Sequence, residues 1–266
     1  MSRSAPAVAR PRLTRAALGL AGIIILAAAW QLLAVVLDKP VFPTFTTSFS
    51  AALKVIGSPV LRTDIIPSVE RTLLGFALST VVGVAAGMLI GRIRKVHDYT
   101  SAVIDFMRAL PTPLLVPAAM VIFGLNGRMV VATIVSAAVW PVLINTVNAT
   151  SSIDPTMIDT AVTYGLRGRS LFMRVILPAS SPQIFAGMRV ALSVSLAVMV
   201  VAEILGGGSG IGYFIANAQQ SFNIDGSYGG VVILGALGWG FDTLFLLLEH
   251  WLLSWQRAIS GGAANA

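Results

Sequence analysis

Few residues in this chain are suited to chemical catalysis. The 266-residue chain contains no cysteine and two histidines, His97 and His250, which lie far apart. The lack of cysteine excludes disulfides, thiol catalysis and cysteine metal sites. An enzyme inside a membrane needs a cluster of His, Asp and Glu, and only His250 beside Glu249 approaches one. We therefore expect no catalytic residue and no metal site, and we interpret His97 as a solvated loop residue.

Isolated polar side chains within apolar stretches are the other candidates. Glu203 stands near the end of an apolar block, where a carboxylate usually has a partner or touches water. It could line a path or hydrogen-bond to the glycine-rich turn that follows. Asn145 could hydrogen-bond between helices or line the same path, and Ser193 is a milder polar point. The turn, residues 206–212, lacks the Gly-Lys-Ser/Thr ending of a phosphate loop, so we reject nucleotide binding.

The composition is that of a membrane protein. The chain is 56% hydrophobic and 11% charged, with a mean hydropathy of +0.85. A soluble domain is nearer one quarter charged. The net charge of +7 is therefore interpreted as cytoplasmic charge on a membrane protein, and no nucleic-acid partner is expected.

Hydropathy predicts an all-α protein with six transmembrane helices. The predicted spans are residues 16–37, 69–90, 102–123, 130–147, 184–205 and 229–253. Each is long enough to cross a bilayer. The first is too long for a signal peptide, so we expect an uncleaved helix. The predicted organisation is a disordered cytoplasmic tail at 1–14, a permease domain at 15–257 and a C-terminal tail at 258–266.

Two of these spans carry a packing or path signal. Gly83 and Gly87 of the second span, with Gly75 nearby, form a row of small residues suited to close helix packing. Pro111, Pro113 and Pro117 must break or kink the third span, because each removes a backbone hydrogen bond. Such breaks are tolerated inside protein or beside a cavity. The third span is therefore the best physical indication of a translocation path.

A polar segment, residues 153–182, separates the fourth and fifth spans. Asp154 can cap a helix whose first residue is Pro155, and Gly165 can end it in a left-handed turn. Ser170 is predicted to cap a second short helix that ends before Pro178. The segment is too short and too charged to cross a bilayer, which favours a docking element at the membrane face.

The residues of this segment resemble the EAA motif of ABC-importer permeases. The matching positions are Asp159, Thr160, Ala161, Gly165, Val175, Leu177 and Pro178. Their spacing matches throughout, with Asp for Glu, Thr for Ala and Val for Ile. In that family the helix fits a groove on the ATP-hydrolysing subunit and transmits its closure to the membrane. The resemblance thus implies that these residues couple the chain to an ATPase.

The stretch from about residue 43 to 253 is similar to the nitrate, sulfonate and taurine class of these permeases. The carrying features are PSVERTLLGFALSTVVGV at 67–84, the proline-rich third span, and AEILGGGSGIGYFI at 202–215. The resemblance implies a type I ABC importer permease fold in the bacterial inner membrane. It implies a second permease copy in a homodimer, two cytoplasmic ATP-binding subunits and an extracytoplasmic solute-binding protein. ATP and Mg²⁺ would be bound by the partner subunits, with no cofactor in this chain.

The distribution of lysine and arginine predicts the orientation. Six spans place both termini on one side of the membrane. Thirteen basic residues fall on that side: Arg3, Arg10, Arg12, Arg15, Arg92, Arg94, Lys95, Arg108, Arg167, Arg169, Arg174, Arg189 and Arg257. Five fall on the other: Lys39, Lys54, Arg62, Arg71 and Arg128. Both termini and the docking segment are therefore predicted to be cytoplasmic.

The expected function is the permease subunit of an ATP-driven importer, passing a small anionic solute to the cytoplasm. Candidate solutes in the class are sulfonates, nitrate, bicarbonate and organic acids, and the sequence does not select among them. Vitamin precursors such as a thiamine pyrimidine or riboflavin are the alternative solutes. An ion-coupled secondary transporter is a further alternative, but it would need buried charges and internal repeats that the sequence does not show.

Overall fold

The computed structural model describes residues 12–254, which form helices joined by short turns, with no strand in that range. The helices are α1 (Arg12–Leu37), α2 (Phe45–Ile56), α3 (Ile66–Arg92), α4 (Arg94–Ala109), α5 (Leu115–Phe123), α6 (Gly127–Ser151), α7 (Pro155–Thr163), α8 (Gly168–Leu171), α9 (Leu177–Gly206), α10 (Ile211–Gln220) and α11 (Ile224–Leu252). Two π-helical turns, Leu61–Ile65 and Phe172–Ile176, lead directly into α3 and α9. The all-α prediction is confirmed.

Four helical stretches are long and apolar enough to cross a membrane. They are Leu61–Arg92, Gly127–Ser151, Gly168–Gly206 and Ile224–Leu252, at the positions of the predicted second, fourth, fifth and sixth spans. A fifth crossing results if the bent pair Lys95–Ala109 and Thr112–Phe123 is one broken span. The first predicted span corresponds to α1, whose apolar part, Ala21–Leu37, is shorter. The sixth crossing therefore stays a prediction.

The third predicted span is broken, as its prolines require. Helices α4 and α5 meet at an angle of 83°. Pro111 and Pro113 bracket the break, and a short 3₁₀ turn, Thr112–Leu114, joins the two helices. Pro117 lies in the first turn of α5, where a missing N–H is tolerated. Helix α4 begins at Arg94, before the predicted start of this span at residue 102.

Helices α3 and α6 pack against each other along the predicted glycine row. Gly75, Gly83 and Gly87 are buried and face, in that order, Ile134, Val142 and Thr146 of α6. Because the partners follow the same order in both helices, α3 and α6 run parallel. A missing Cβ at these positions lets the two backbones approach closely, so the small residues are explained by packing.

Helix α9 completes the core by packing antiparallel to both α3 and α6. Glu203 near its end contacts Ser68 near the start of α3. Met129, Ile134 and Met199 are fully buried where the three helices meet. The centre of the bundle is therefore a three-helix core, against which the remaining helices lie.

The predicted tails fall mainly outside the described residues. The tail at 258–266 lies entirely outside them, and so do residues 1–11 of the predicted tail at 1–14. The remainder of the N-terminal tail is part of α1, which begins at Arg12.

Candidate docking surface and translocation path

The predicted docking helix forms as α7, and its first turn is capped as the sequence predicts. The Asp154 carboxylate accepts a hydrogen bond of 2.8 Å from the N–H of Thr156. Pro155 occupies the first helical position. An N–H at this position would have no acceptor within the helix, so proline loses no hydrogen bond there. Local sequence therefore fixes where this helix begins.

Gly165 ends α7 in a left-handed turn, as predicted. Its φ is +84°, a region that side chains with a Cβ rarely adopt. The Gly165 N–H donates to Val162 O at 2.9 Å, and the Leu166 N–H donates to Ala161 O at 3.0 Å. These two bonds are those of a Schellman motif, which satisfies the last carbonyls of a helix. Gly165 is therefore required for backbone geometry, since a Cβ there would meet nothing within 4 Å.

Most of α7 is exposed, and its apolar residues are only partly covered. Ala161 is buried and Ile158 half-buried toward the bundle, whereas Met157 and Val162 are exposed. At helical spacing these four residues lie along one face of α7, and only the centre of that face is covered by the bundle. Asp159 and Thr160 are exposed as well, and the Thr160 hydroxyl donates to Thr156 O within the helix. Asp159 and Thr160 thus lie on a surface that another protein can reach, whereas the third motif position of α7, Ala161, is buried.

The second part of the segment differs from the prediction at its start. The sequence predicts Ser170 as the helix cap, but Arg167 occupies that position and α8 begins at Gly168. Ser170 lies three residues later, where its hydroxyl oxygen accepts from the Arg167 N–H at 3.1 Å. Ser170 thus pairs with a backbone N–H at the helix start from within the first turn, and it is not the residue that precedes the helix.

The helix also continues through Pro178, where the sequence predicts an end. The turn before it is π-helical, and the Leu177 N–H donates to Phe172 O, five residues back. A proline in an α-helix clashes with the carbonyl four residues earlier, here that of Arg174. The wider π turn displaces that carbonyl and absorbs the clash. Val175, Leu177 and Pro178 therefore lie within one helical stretch, Gly168–Gly206, that continues into the membrane.

A cavity of about 570 Å³ lies between α7 and the ends of α3, α4 and α6. Ile158 and Asp159 form its α7 side, and Arg92, His97 and Asp98 form the opposite side. The docking helix is therefore not packed flat on the bundle, and space is available beneath it for movement.

The predicted path residues do not form one cluster. The three prolines lie at the break between α4 and α5. Asn145 donates to Pro141 O within its own helix at 2.8 Å, so it does not bridge helices as one alternative expected. Ser193 is exposed, and its hydroxyl donates to Arg189 O at 3.4 Å. A role in translocation stays a prediction for each of them.

Glu203 is fully buried at the end of the bundle opposite α7. Its carboxylate accepts hydrogen bonds from the Ser68 hydroxyl at 2.8 and 2.9 Å and from the Gly212 N–H at 3.1 Å. Arg71 Nη1 forms an ion pair with it at 2.9 Å. We name Ser68, Arg71, Glu203 and the turn 206–212 the glycine-turn clamp. The bond to the glycine-rich turn, one of the two alternatives for Glu203, is present.

Sequence reasoning missed most of this clamp. From the sequence, Arg71 counts only among the basic residues outside the cytoplasmic face, but its side chain is only 14% exposed. Arg71 also donates to the carbonyl and hydroxyl oxygens of Ser209, at 2.7 and 2.6 Å. The Ser68 hydroxyl accepts from the Ile211 N–H at 2.8 Å. A buried carboxylate is stable only with a positively charged partner nearby. The position of Glu203 in an apolar block therefore indicated that a basic residue such as Arg71 would pair with it.

Two further ion pairs join charged side chains that are exposed in this chain. Arg108 Nε lies 3.1 Å from Asp105 Oδ1, because residues three apart share one face of α4. Arg189 of α9 meets Asp242 of α11 through two hydrogen bonds, at 2.9 and 3.1 Å. The second pair joins helices that are distant in sequence, and a two-point contact of this kind fixes their relative position.

Membrane-length apolar helices, a broken third span and the exposed helix α7 are the features of a multi-pass membrane protein. The chain belongs to the family described as binding-protein-dependent transport system inner membrane component, whose model matches residues 79–257. The recognised class is confirmed: this is a permease subunit of an ABC importer, and the family is a transport family, not an enzyme family.

Relatives and a solved structure agree with this assignment. The bicarbonate transport system permease protein CmpB of Synechococcus elongatus is 32% identical over 189 residues, which cover 71% of this chain and 68% of CmpB. The nitrate import permease protein NrtB of Synechocystis is 29% identical over 189 residues, covering 71% and 69%. A chain of the MetNI methionine ABC transporter, in inward-facing conformations, superposes with a TM-score of 0.62 at 16% identity, covering 73% of this chain and 94% of that chain. The last likeness supports the type I permease fold alone.

Proposed function

We propose that this chain is the membrane-spanning subunit of an ATP-driven importer of a small anion. The observation that carries the ATP-driven role is the exposed helix α7, ended by the left-handed turn at Gly165 and followed by a helix that runs into the membrane. A short, exposed, well-capped helix is suited to enter a groove on a partner. The partner is a cytoplasmic ATPase subunit that holds ATP and Mg²⁺, and the motif residues form the contact.

The assembly that follows contains two permease copies, two ATPase subunits and an extracytoplasmic solute-binding protein. Both termini and α7 face the cytoplasm, in keeping with the excess of arginine and lysine on that side. CmpB and NrtB are named for bicarbonate and nitrate, which supports a small oxyanion as the solute. In this assembly the present chain forms the path and hydrolyses nothing.

Gly165→Val tests the coupling role. A β-branched residue at a φ of +84° is strained by about 1–3 kcal/mol, so the turn after α7 changes shape. Because a Cβ at Gly165 meets no neighbour, the rest of the bundle is unaffected. We expect the variant to reach the membrane at the normal level, to retain ATPase activity in the complex, and to lose about tenfold or more of its solute uptake.

Gly165→Asn is the matched control, since asparagine tolerates the left-handed region. It should retain most of the uptake. Co-purification of the tagged chain from its own host, read by mass spectrometry, gives the partners directly. Normal uptake by Gly165→Val would show that the turn after α7 does not couple uptake to an ATPase. A chain that purifies alone and transports without ATP would show the same and would favour an ion-driven transporter.

A further inference from the structure

A small cavity lies at the break of the third span, near the middle of the bundle. Its volume is about 310 Å³. Arg108, Thr112, Ser136, Trp140, Ile144 and Val194 are among the residues that line it. Positions 136–144 are the middle turns of α6, and Val194 lies in the middle of α9. The break between α4 and α5 therefore leaves a space at mid-depth whose walls are mostly apolar and carry a few polar groups.

Arg108 separates this cavity from a second one. The second cavity, of about 220 Å³, is lined by His97, Asp105 and Asn148, toward the end of the bundle that carries α7. Arg108 and Ile144 belong to the walls of both cavities. A solute that moves from the first space to the second passes the guanidinium group.

The polar groups around the first cavity have unused hydrogen-bond donors. Arg108 is paired with Asp105 through Nε, and its two terminal nitrogens donate to no other group among residues 12–254. Within the same residues, the Thr112 hydroxyl and the Trp140 indole N–H lack hydrogen-bond partners as well. Donors of this kind, with one fixed positive charge, match an oxyanion.

We propose that Arg108, Thr112 and Trp140 form an oxyanion-binding site within the translocation path, and that Arg108 contacts the solute in passage. The proposal rests on the anion-import function proposed above and names the residues that select the charge. The planar guanidinium presents two parallel N–H groups to two oxygens of a nitrate, bicarbonate or sulfonate group. Asp105 competes with the solute for Arg108, which keeps binding weak enough for release.

The test uses the full permease–ATPase complex and three probe anions: bicarbonate, nitrate and methanesulfonate. The first readout is uptake into proteoliposomes with saturating binding protein. The second is the rise in melting temperature of the detergent-solubilised complex on addition of the same anion, without binding protein. Arg108→Gln should lower uptake about tenfold or more and abolish the anion-dependent rise. Stimulation of the ATPase by the binding protein should persist.

Three variants make the result specific. Arg62→Gln removes an exposed arginine of the π turn before α3 and should change neither readout. Arg108→Lys keeps the charge but not the two parallel donors, so it should retain part of both signals. If Arg108→Gln fails to accumulate in the membrane, the partial loss in Arg108→Lys tests whether Arg108 binds the anion. Asp105→Asn removes the competing carboxylate and should increase the anion-dependent rise.

The outcomes separate this site from the proposed function. If the unaltered complex takes up none of the three anions into proteoliposomes, the anionic solute class is wrong. The oxyanion-binding site is then wrong as well. If the unaltered complex transports an anion and Arg108→Gln does so equally well, the site alone is wrong. Equal losses in Asp105→Asn and Arg108→Gln would show a purely structural ion pair and would also overturn the proposal.

Discussion

Gly87→Val should prevent the chain from accumulating as a folded membrane protein. A Cβ at Gly87 would lie 2.6 Å from the Cβ of Thr146 and 2.8 Å from the carbonyl oxygen of Leu143. Both atoms belong to α6, and the carbonyl is part of its hydrogen-bonded backbone, so neither can move without displacing the helix. Over-packing of this kind costs up to about 3 kcal/mol. Gly83→Val meets Val142 and the carbonyl of Val139 in the same way and should behave alike.

The measurement is the amount of monodisperse chain recovered from membranes, followed by its melting temperature in detergent. Gly235→Val is the matched control, because Gly235 is an exposed helical glycine with nothing within 4 Å of a built Cβ. It should behave as the unaltered chain does. Equal recovery of Gly87→Val and Gly235→Val would show that α3 and α6 do not pack along the glycine row.

Arg71→Met should destabilise the bundle by about 3–5 kcal/mol, because it leaves the buried Glu203 carboxylate without its counter-charge. Methionine retains an unbranched stem like that of arginine and removes the guanidinium group, so the loss is electrostatic more than steric. Glu203→Gln should cost less, since Arg71 keeps its hydrogen bonds to Ser209 and part of its contact with solvent. The two single variants are thus expected to differ although they break the same ion pair.

The double variant Arg71→Met with Glu203→Gln distinguishes charge from packing. A neutral glutamine can still accept from the Ser68 hydroxyl and the Gly212 N–H, so no buried charge remains uncompensated. We expect its melting temperature in detergent to exceed that of Arg71→Met alone. A double variant that is no more stable than Arg71→Met would indicate that Glu203 is not ionised in the folded chain.

Local signals in the sequence predicted the local geometry well. Asp154 and Gly165 each act through hydrogen bonds to residues within a few positions, so residue type alone indicated the two ends of α7. The apolar length of four of the six predicted blocks indicated membrane-length helices, and the glycine spacing indicated the packed face of α3. The helix ends depend on contacts between near neighbours and the spans on transfer to lipid, which a single sequence records directly. The glycine row was visible because small residues recur at helical spacing, although the sequence did not show that its partner is α6.

Features that depend on distant residues were not predictable to the same degree. Arg71 and Glu203 are 132 positions apart, and their pairing follows from the antiparallel course of α3 and α9. The continuation of the helix through Pro178 depends on a π turn, for which no residue pattern is specific. The cavities beside Arg108 exist because α4, α6 and α9 diverge at the broken span. In each case the three-dimensional course of the chain had to be known first.

Because α3 and α6 run parallel, the chain between them must cross the membrane an odd number of times. A chain that leaves one face of the bilayer at the end of α3, and later enters α6 in the same direction, must have returned across the bilayer in the meantime. A re-entrant loop comes back to the face it left and would have made α6 antiparallel to α3. The bent pair α4–α5 is therefore a complete return crossing. Whichever face carries α7 also carries the turn between α3 and α4, so both can border the cavity beneath the docking helix.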